Sequence, residues 1–560
     1  MSTIKASAGV GATPLPVIDI SADGTHYVWM DQFTQEHPVS DFVMEPVATI
    51  KVNGDEAQTI FVVRVEAFGH PEVEEHQVSA ALFHAVPVFK KWCQVRRLSW
   101  NGDTKQLNSL FTRLNMAVVP ELVGVTVTGL HGNAFVQENN VFGYDTEKYA
   151  YVKPVNYVER KSAIRARSAD LGWTLEVEPG LWGRDHSRID LPRDVVDLAV
   201  PEWRQGLWNL ARLHRPDVMT PILGWMAAAP LRSLFTMFPP LAVMGGAGWG
   251  KSTIIRTVMD SFGYGTDALG LNGTTPYAIF SMASSTNALP VWFEEYRLGV
   301  RQDAKDAVNQ LLRDAWEAGA AVRGGTTENL SRVMAVRVAC PVVVTGEDTF
   351  SETSHLQRIL LLNMPKDGKN EPALAAIEAP GELYLSIIGA LQEFFSLYVE
   401  WLLFLKKEDL LPEMPNVHDR QAHGRAVARY GYSLLQEFVA EMGLRDLVLP
   451  AWDESRVASA QSEHVDLYEE LIDEAVGVLD ADGRPVVWDS NDGYRNIRPG
   501  AFVAWVKKNR TEDLAGGRRA VTEYVKEKFG ALEHDYRSGF LRKCWRWPVE
   551  TRAQADPSAA

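Results

Sequence analysis

Apolar positions along this chain recur at two periods, and the changes of period mark out its predicted elements. ATIKVNGDEAQTIFVVRVEAF (residues 48–68) alternates apolar and polar positions on either side of Asn53 and Gly54, which predicts a hairpin. VGVTVTGLHGNAFVQENNVFG (123–143) alternates again around glycine turns. From residue 195 to 238 the spacing becomes helical, with Thr220 and Pro221 as a start signal for one helix. Continuous apolar runs then appear at Leu241–Met244, at the front of LPVWFEEYR (289–297) and at Ala339–Thr345, and runs of that kind predict fully buried parallel strands. Between the last two, Asp303–Ala318 carries Ala307, Leu311, Leu312 and Ala315 along one helical face. AAVRGG and SRVMAVRV can pair as a hairpin with TTEN near its tip. Long helices are predicted over Leu383–Lys407 and Gly424–Met442.

A length of 560 residues exceeds what one hydrophobic core organises, so several domains are expected. The pattern divides into a β-rich region (1–165), a helical collar (166–235), an α/β core with a parallel sheet (236–370), a helical bundle (371–450) and a C-terminal module (451–560). The fold class is therefore multidomain α/β. Cys93, Cys340 and Cys544 lie far apart, with neither disulfide nor zinc-ligand spacing. The first residues lack the basic and apolar regions of a signal peptide. The apolar segment Leu383–Leu405 carries Glu393 and Glu400 and reads as an amphipathic core helix, so no membrane is implied and a cytoplasmic protein is expected. Net charge is −16, which argues against a uniformly basic surface, yet Arg495 to Arg546 holds 13 Lys+Arg against 6 Asp+Glu.

The most specific chemistry lies at GGAGWGKS. Gly245, Gly246, Ala247, Gly248, Trp249, Gly250, Lys251 and Ser252 fit G-x-x-x-x-G-K-[ST], with a strand-like run before them and a helical run after. Glycines let consecutive backbone N–H groups converge on phosphate oxygens, and the helix start adds the positive end of its dipole. Lys251 can then reach the β- and γ-phosphates of a nucleoside triphosphate. Ser252 is the expected Mg2+ ligand, with Thr253 second.

Hydrolysis further needs an acid for the metal and a group that orients water, both at the end of a neighbouring strand. LPVWFEEYR supplies two carboxylates there. Glu294 is assigned to the metal and Glu295 to polarising the attacking water. Thr345, with Glu347 behind it, stands at the end of the third strand as a polar sensor; a simple strand-end turn is the alternative.

With these motifs in order, residues 200–365 resemble the superfamily 3 type AAA+ helicases of phages and plasmids, often encoded beside primases. The resemblance rests on GGAGWGKST, PVWFEEYR, AVRGGTTENLSRVMAVRVACPVVVTGED and SHLQRILLLNM. It implies a P-loop AAA+ ATPase core, ATP and Mg2+ as ligands, and a homo-oligomer, a hexamer, acting on single-stranded or forked DNA. A primase or other replication proteins would be partners, in the cytoplasm of a bacterial host. It also implies a DNA-gripping hairpin, for which Arg323 and Arg332 are the candidates, although TTEN lacks the family's usual basic tip. Arg358 in SHLQRILLLNM is implied to reach a neighbouring subunit's γ-phosphate; capping a helix or pairing with Glu352 is the alternative.

The flanks say less. The β-rich region resembles that attached to some primase-linked phage helicases, but no carboxylate triad of a primase is apparent in it. His131 in GLHGN reads as a turn or core histidine. VERKSAIRARS (158–168) reads as a solvated basic linker. At the C-terminus two short helices and a β-like end suggest a winged helix with its second helix near Arg518–Lys528. Lys507, Lys508, Arg518, Arg519, Arg542 and Lys543 are its DNA-contact candidates, and a basic protein-docking module accounts for the same residues. Two other functions remain open on the sequence: an AAA+ initiator or loader without processive unwinding, and a nucleotide-switched defence or signalling ATPase.

Overall fold

The computed structural model describes residues 18–548, apart from 32, 34, 53–57, 69–72, 139, 144, 155–161, 166–173, 179–185, 191–192, 266–267, 298–300, 318–319, 324–333, 348–349, 351–355, 382–385, 406–419, 458–466, 491, 510–520, 523–524, 527–528, 530 and 535–543. It divides into two compact units, Met1–Tyr157 and Val158–Ala560.

In the first unit the expected hairpin is present. Phe42–Val52 and Gln58–Ala67 pair antiparallel with a register shift between Pro46 and Ala48. They form the centre of a five-stranded sheet completed by Glu74–Ser79 on one side and by Glu121–Val125 and Tyr149–Tyr151 on the other. The alternation along 123–143 also becomes strands, Gly129–His131, Ala134–Val136 and Val141–Gly143 forming a small antiparallel sheet. The unit is less purely β than its alternating runs suggest. Helices Val86–Val95 and Thr104–Asn115 supply Phe89, Cys93, Leu107, Leu110 and Leu114 to the same core as Phe42, Phe61 and Val63. The second helix is announced by a capping box, Asp103 accepting from the Gln106 N–H while the Gln106 side chain accepts from the Asp103 N–H.

The second unit is built around a five-stranded parallel sheet. In spatial order its strands are Leu269–Gly270, Val291–Tyr296, Val342–Gly346, Leu241–Met244 and Leu360–Asn363. The strand preceding the glycine loop is thus flanked on both sides. Three of the strands were expected; the third begins at Val342, later than Ala339, because Pro341 cannot donate to a ladder and Val291 N–H instead bonds its carbonyl. Helix Gln302–Trp316 covers one face, burying Ala304, Ala307, Val308, Leu311, Leu312 and Ala315 among the strand residues Val291, Phe293, Val342 and Val344. The predicted hairpin exists as Ala320–Arg323 paired with Met334–Arg337, and its tip, with TTEN and Arg332, lies outside the described residues.

The helices around this sheet correct three expectations. The helix expected to start at Thr220 starts at Pro216, where a missing N–H costs nothing, and runs to Ala228 through Pro221. The segment Ile387–Phe404 is not amphipathic: Glu393 and Glu400 are 4% and 3% exposed, within a helix enclosed on all sides. Residues 162–165 are not a solvated linker. Ile164 is buried, Ala163 N–H and Ser162 Oγ both donate to Gly263 O, and Arg165 lies 3.6 Å from Glu393.

Collar and bundle helices also pack directly on one another. A Cβ on Gly224 would lie 2.1 Å from Ala428 O, and one on Gly431 2.1 Å from Gly224 O, so helices Pro216–Ala228 and Arg420–Glu441 touch backbone to backbone. Only glycine permits that approach. Among the described residues no helix is long and apolar enough to cross a membrane.

The C-terminal part folds as helix Leu467–Glu474, strands Val487–Asp489 and Tyr494–Ile497, helix Pro499–Asn509, and strands Leu532–His534 and Cys544–Pro548. The strands form one antiparallel sheet in the order first, second, fourth, third. Its core joins Leu471, Ile472, Phe502, Val506, Val521 and Val525 with Trp547. Cys93, Cys340 and Cys544 are all buried, and none of them is in a disulfide.

Candidate active site

A parallel sheet presents the ends of its strands at one edge, where loops diverge and leave a crevice. Here the crevice is a cleft of about 340 Å³ lined by Gly248, Gly250, Lys251, Ser252, Thr253, Glu294, Glu295, Arg297, Thr345, Gly346, Glu347 and Lys369. Lys251, Ser252, Thr253, Glu294, Glu295 and Thr345 are among them, drawn from three strand ends.

The loop has the backbone that its glycines allow. Gly248 and Gly250 have φ of +75° and +94°, and Gly250 is the N-cap of helix Lys251–Ser261. A side chain at Gly246 would strike the ring of Trp249, which would lie 2.6 Å from its Cβ. Trp249 is therefore the wall that holds the loop's inner turn. Lys251 is 8% exposed, and its Nζ donates to Gly245 O and Gly246 O, both at 2.7 Å. Burial pushes this ammonium below the ordinary lysine value, and Glu347 opposes the shift. An ammonium held over a loop of backbone amides, beside a helix start, suits a polyphosphate.

The two carboxylates owe their positions to an irregularity. Phe293 pairs with Val344 and Tyr296 with Gly346, so Glu294 and Glu295 together oppose the single residue Thr345. Such a bulge re-aims side chains at a strand end. Glu295 has φ of +64°, a left-handed conformation that a non-glycine residue adopts at a cost of about 1–3 kcal/mol. Its Oε2 accepts a hydrogen bond from Asn272 Nδ2 at 3.1 Å. Glu294 is mostly enclosed and lies 3.6 Å from Arg256, whose guanidinium in turn sits 5.6 Å from the Trp292 ring centroid. The two glutamates thus differ in setting: Glu294 is held by a cation on the helix after the loop, Glu295 by a neutral amide.

Thr345 is 1% exposed, and its Oγ1 accepts from Trp292 Nε1 at 3.1 Å. The bond fixes the hydroxyl's orientation and leaves its proton to point elsewhere.

Asn272, Lys369, Arg297 and Arg256 were not singled out by sequence reasoning. Asn272 follows the two-residue edge strand Leu269–Gly270, too short for a periodic signal. Lys369 comes from the loop after the last strand; its Cδ would lie 3.1 Å from a Gly250 Cβ, and its Nζ pairs with Glu371 at 2.7 Å. Arg297 was in plain view in PVWFEEYR, one residue past the strand.

Arg358 does not line this cleft. It precedes the strand Leu360–Asn363, whose first residue aligns with Leu241, so it sits at the opposite edge of the sheet from the glycine loop. Burial holds its pKa below the ordinary arginine value, Arg420 and Arg313 adding to the shift and Glu317 opposing it. Arg323 ends the first hairpin strand, paired with Met334. Lys507 and Lys508 are exposed in the last turn of helix Pro499–Asn509. Arg518, Arg519, Arg542 and Lys543 lie outside the described residues. The basic surplus of the C-terminal module is partly cancelled where it is described. Arg495 pairs with Asp473 and Asp489, Arg498 with Asp480, and Arg546 with Asp492. His131 ends the strand Gly129–His131, its ring 2.7 Å from Val127 O, and burial lowers its pKa. No cluster of three or more His, Cys, Asp or Glu suited to a metal occurs among the described residues.

No protein-family model matches the chain. No curated protein matches it either. Among solved structures, it is similar to the JCV helicase at 16% identity and a TM-score of 0.22, over 43% of this chain and 64% of that one. The inhibitor-bound JCV helicase gives 14% and 0.22 over 51% and 66%, and the form carrying a thiazolopyridine phenoxyphenyl acetamide gives 14% and 0.23 over 43% and 65%. The chain thus spans a little under two thirds of the structures it matches. Likenesses of this strength fix neither an activity nor a residue's role.

Proposed function

We propose that the protein is an ATP-hydrolysing, ring-forming motor of the superfamily 3 helicase type, working on DNA in phage or mobile-element replication. One observation carries the reading. Lys251, Ser252, Glu294, Glu295 and Thr345, from three separate strand ends, line a single cleft at the loop edge of a parallel sheet.

The residues divide the chemistry as follows. Lys251 exchanges its two carbonyl partners for β- and γ-phosphate oxygens, so its desolvated charge meets a stronger acceptor. Ser252 and Glu294 would hold Mg2+, which neutralises charge across the β- and γ-phosphates. Arg256 would release Glu294 for that purpose. Glu295 orients a water and takes its proton, and Asn272 sets the direction in which that carboxylate points. Thr345, fixed by Trp292, senses the γ-phosphate side of the cleft. Since Arg358 is at the far edge of its own sheet, it can act on phosphate only in the cleft of another copy, where it would neutralise transition-state charge. This is why the motor reading requires an oligomer, a hexamer in the resembled family.

The pairing of Arg495, Arg498 and Arg546 with aspartates favours a second reading. A C-terminal module whose arginines are paired in this way suits protein docking, as in an initiator or loader that remodels without unwinding. ATPase rate with and without single-stranded DNA, on protein whose mass is fixed by light scattering, tests the proposal. It expects an oligomer stimulated by DNA, and strand displacement on a fork. Turnover without displacement supports the loader, and an oligomer indifferent to DNA opposes both.

A further inference from the structure

Helix Val86–Val95 of the first unit, with the turn that follows it, carries cations that the fold does not neutralise. From residue 86 to 105 the chain holds Lys90, Lys91, Arg96, Arg97 and Lys105 against one acid, Asp103, although its net charge is −16. Asp103 is occupied in capping the next helix. Lys91, Arg97 and Lys105 are exposed, and Lys90 and Arg96 are half-buried. Among the described residues none of the five is ion-paired. Two acids on neighbouring segments are engaged elsewhere: Asp41 Oδ1 accepts from Ser99 N–H at 2.7 Å, and Glu74 lies 3.3 Å from His76, whose ring meets that of Trp92.

Arg97 marks the cluster out. The helix ends in a Schellman turn, in which Arg97 N–H donates to Gln94 O at 3.1 Å and Leu98 N–H to Cys93 O at 3.0 Å, with Leu98 buried in the core beyond. That turn needs a left-handed residue where Arg97 stands, and its φ is +60°. Glycine adopts this conformation freely, whereas an arginine is strained in it. Among the described residues one other non-glycine residue has a positive φ, Glu295 of the cleft. Strain of this kind clusters where side chains bind or react. Arg96 is held ready beside it: its guanidinium sits 4.3 Å from the Trp92 ring centroid, and its Nη1 donates to Trp92 O at 3.3 Å. A cation at a helix end also meets the negative end of the dipole, but Lys90 and Lys91 stand in the middle of the helix.

We propose that this surface binds the phosphate backbone of a nucleic-acid strand without reading its bases. Lys90 to Arg97 spans about 10 Å at about 1.5 Å per residue, which matches about three phosphate steps at about 3.4 Å along one DNA strand. Trp92 is engaged by Arg96 and stacks on Phe89, so the surface offers cations rather than a free ring for a base. A membrane surface needs large apolar side chains beside its cations, and the exposed apolar residues of this helix are Val88 and Val95. The proposal goes beyond the motor reading, since the contact needs no nucleotide and serves an initiator or loader equally.

The test is equilibrium binding of a labelled single-stranded oligothymidylate to the full chain, without nucleotide, over a series of salt concentrations. Arg97→Gly relieves the strain and removes the cation. Its melting temperature should equal or exceed the parent's, while affinity falls several-fold and the slope of log K against log salt flattens by about 0.7. Lys90→Ala with Lys91→Ala should flatten the slope by about 1.4, and Arg97→Lys, which keeps the charge, should bind within about twofold of the parent. A slope unchanged in both R97G and the double variant overturns the proposal, as does a parent chain that does not bind the strand. So does loss of binding to phosphatidylserine vesicles or to polyglutamate in these variants with strand binding intact, which would assign the surface to a membrane or to an acidic protein. Lys251→Ala should leave strand affinity unchanged; a loss there would tie strand binding to the cleft and overturn its independence. An ATPase that DNA does not stimulate strikes the motor reading and leaves this surface standing.

Discussion

The cleft at the sheet edge and the C-terminal module both drew notice through charge, and they use it in opposite ways. In the cleft, Lys251 is desolvated and rests on two neutral carbonyls, and Glu295 accepts from a neutral amide in a strained backbone conformation. In the module, Arg495, Arg498 and Arg546 each face an aspartate and lie on or beside strand residues of the same small sheet. Charge held without a local counter-charge is available to a ligand; charge already paired supports the fold. A count of Lys and Arg along the sequence cannot separate the two, because the aspartates that cancel it come from 473–492, before the basic stretch begins.

Four substitutions and one condition break or sharpen this contrast, the first the most severe. Lys251→Ala removes the cation at the centre of the loop, and ATP turnover is expected to fall by at least about 10³-fold, with nucleotide affinity lost in an equilibrium titration. Glu295→Gln keeps the Asn272 contact but not the proton acceptor; turnover should fall about 10²-fold or more while ATP binding persists, seen as a stable nucleotide complex on gel filtration. In the module the effects are smaller and split by residue. Lys507→Ala with Lys508→Ala should weaken single-stranded DNA binding several-fold and flatten its salt dependence by about one or two contacts. Arg498→Ala should instead lower the melting temperature, since Asp480 then loses the partner that holds its carboxyl below the ordinary range, and should leave the salt dependence alone.

The mildest effect is that of pH. His131 and His214 are kept neutral by burial, their folded pKa values lying below the ordinary 6.5. Between the folded and unfolded values the unfolded chain binds more protons, so stability decreases as pH falls from about 7 through 6. Urea unfolding across that range should show the decline, and it should be shallower in H214Q.

Much of the core could be read before its coordinates. The loop, the two glutamates, Thr345 and the helix carrying Leu311 and Leu312 follow from local spacing, because each is set by a single element and its immediate flanks. What escaped depends on contacts distant in sequence. Asn272 meets Glu295 only because a two-residue edge strand pairs beside Phe293, and Lys369 meets Gly250 only through the last strand's register. Apolar content alone could not tell a half-exposed helix from the enclosed Ile387–Phe404, in which Glu393 and Glu400 are buried. The helices of the first unit left a clear sign, the Asp103–Gln106 box, beside alternating runs that dominated the pattern.

The central claim is that one copy's cleft is completed by another copy's Arg358. Mixing Lys251→Ala protein with Arg358→Ala protein tests it most directly, because each variant retains what the other lacks. Neither alone should hydrolyse ATP above about one thousandth of the parent rate, and the mixture should recover turnover at those seams where an intact cleft meets an intact arginine. A mixture no more active than its components, or an Arg358→Ala variant as fast as the parent, would contradict the account.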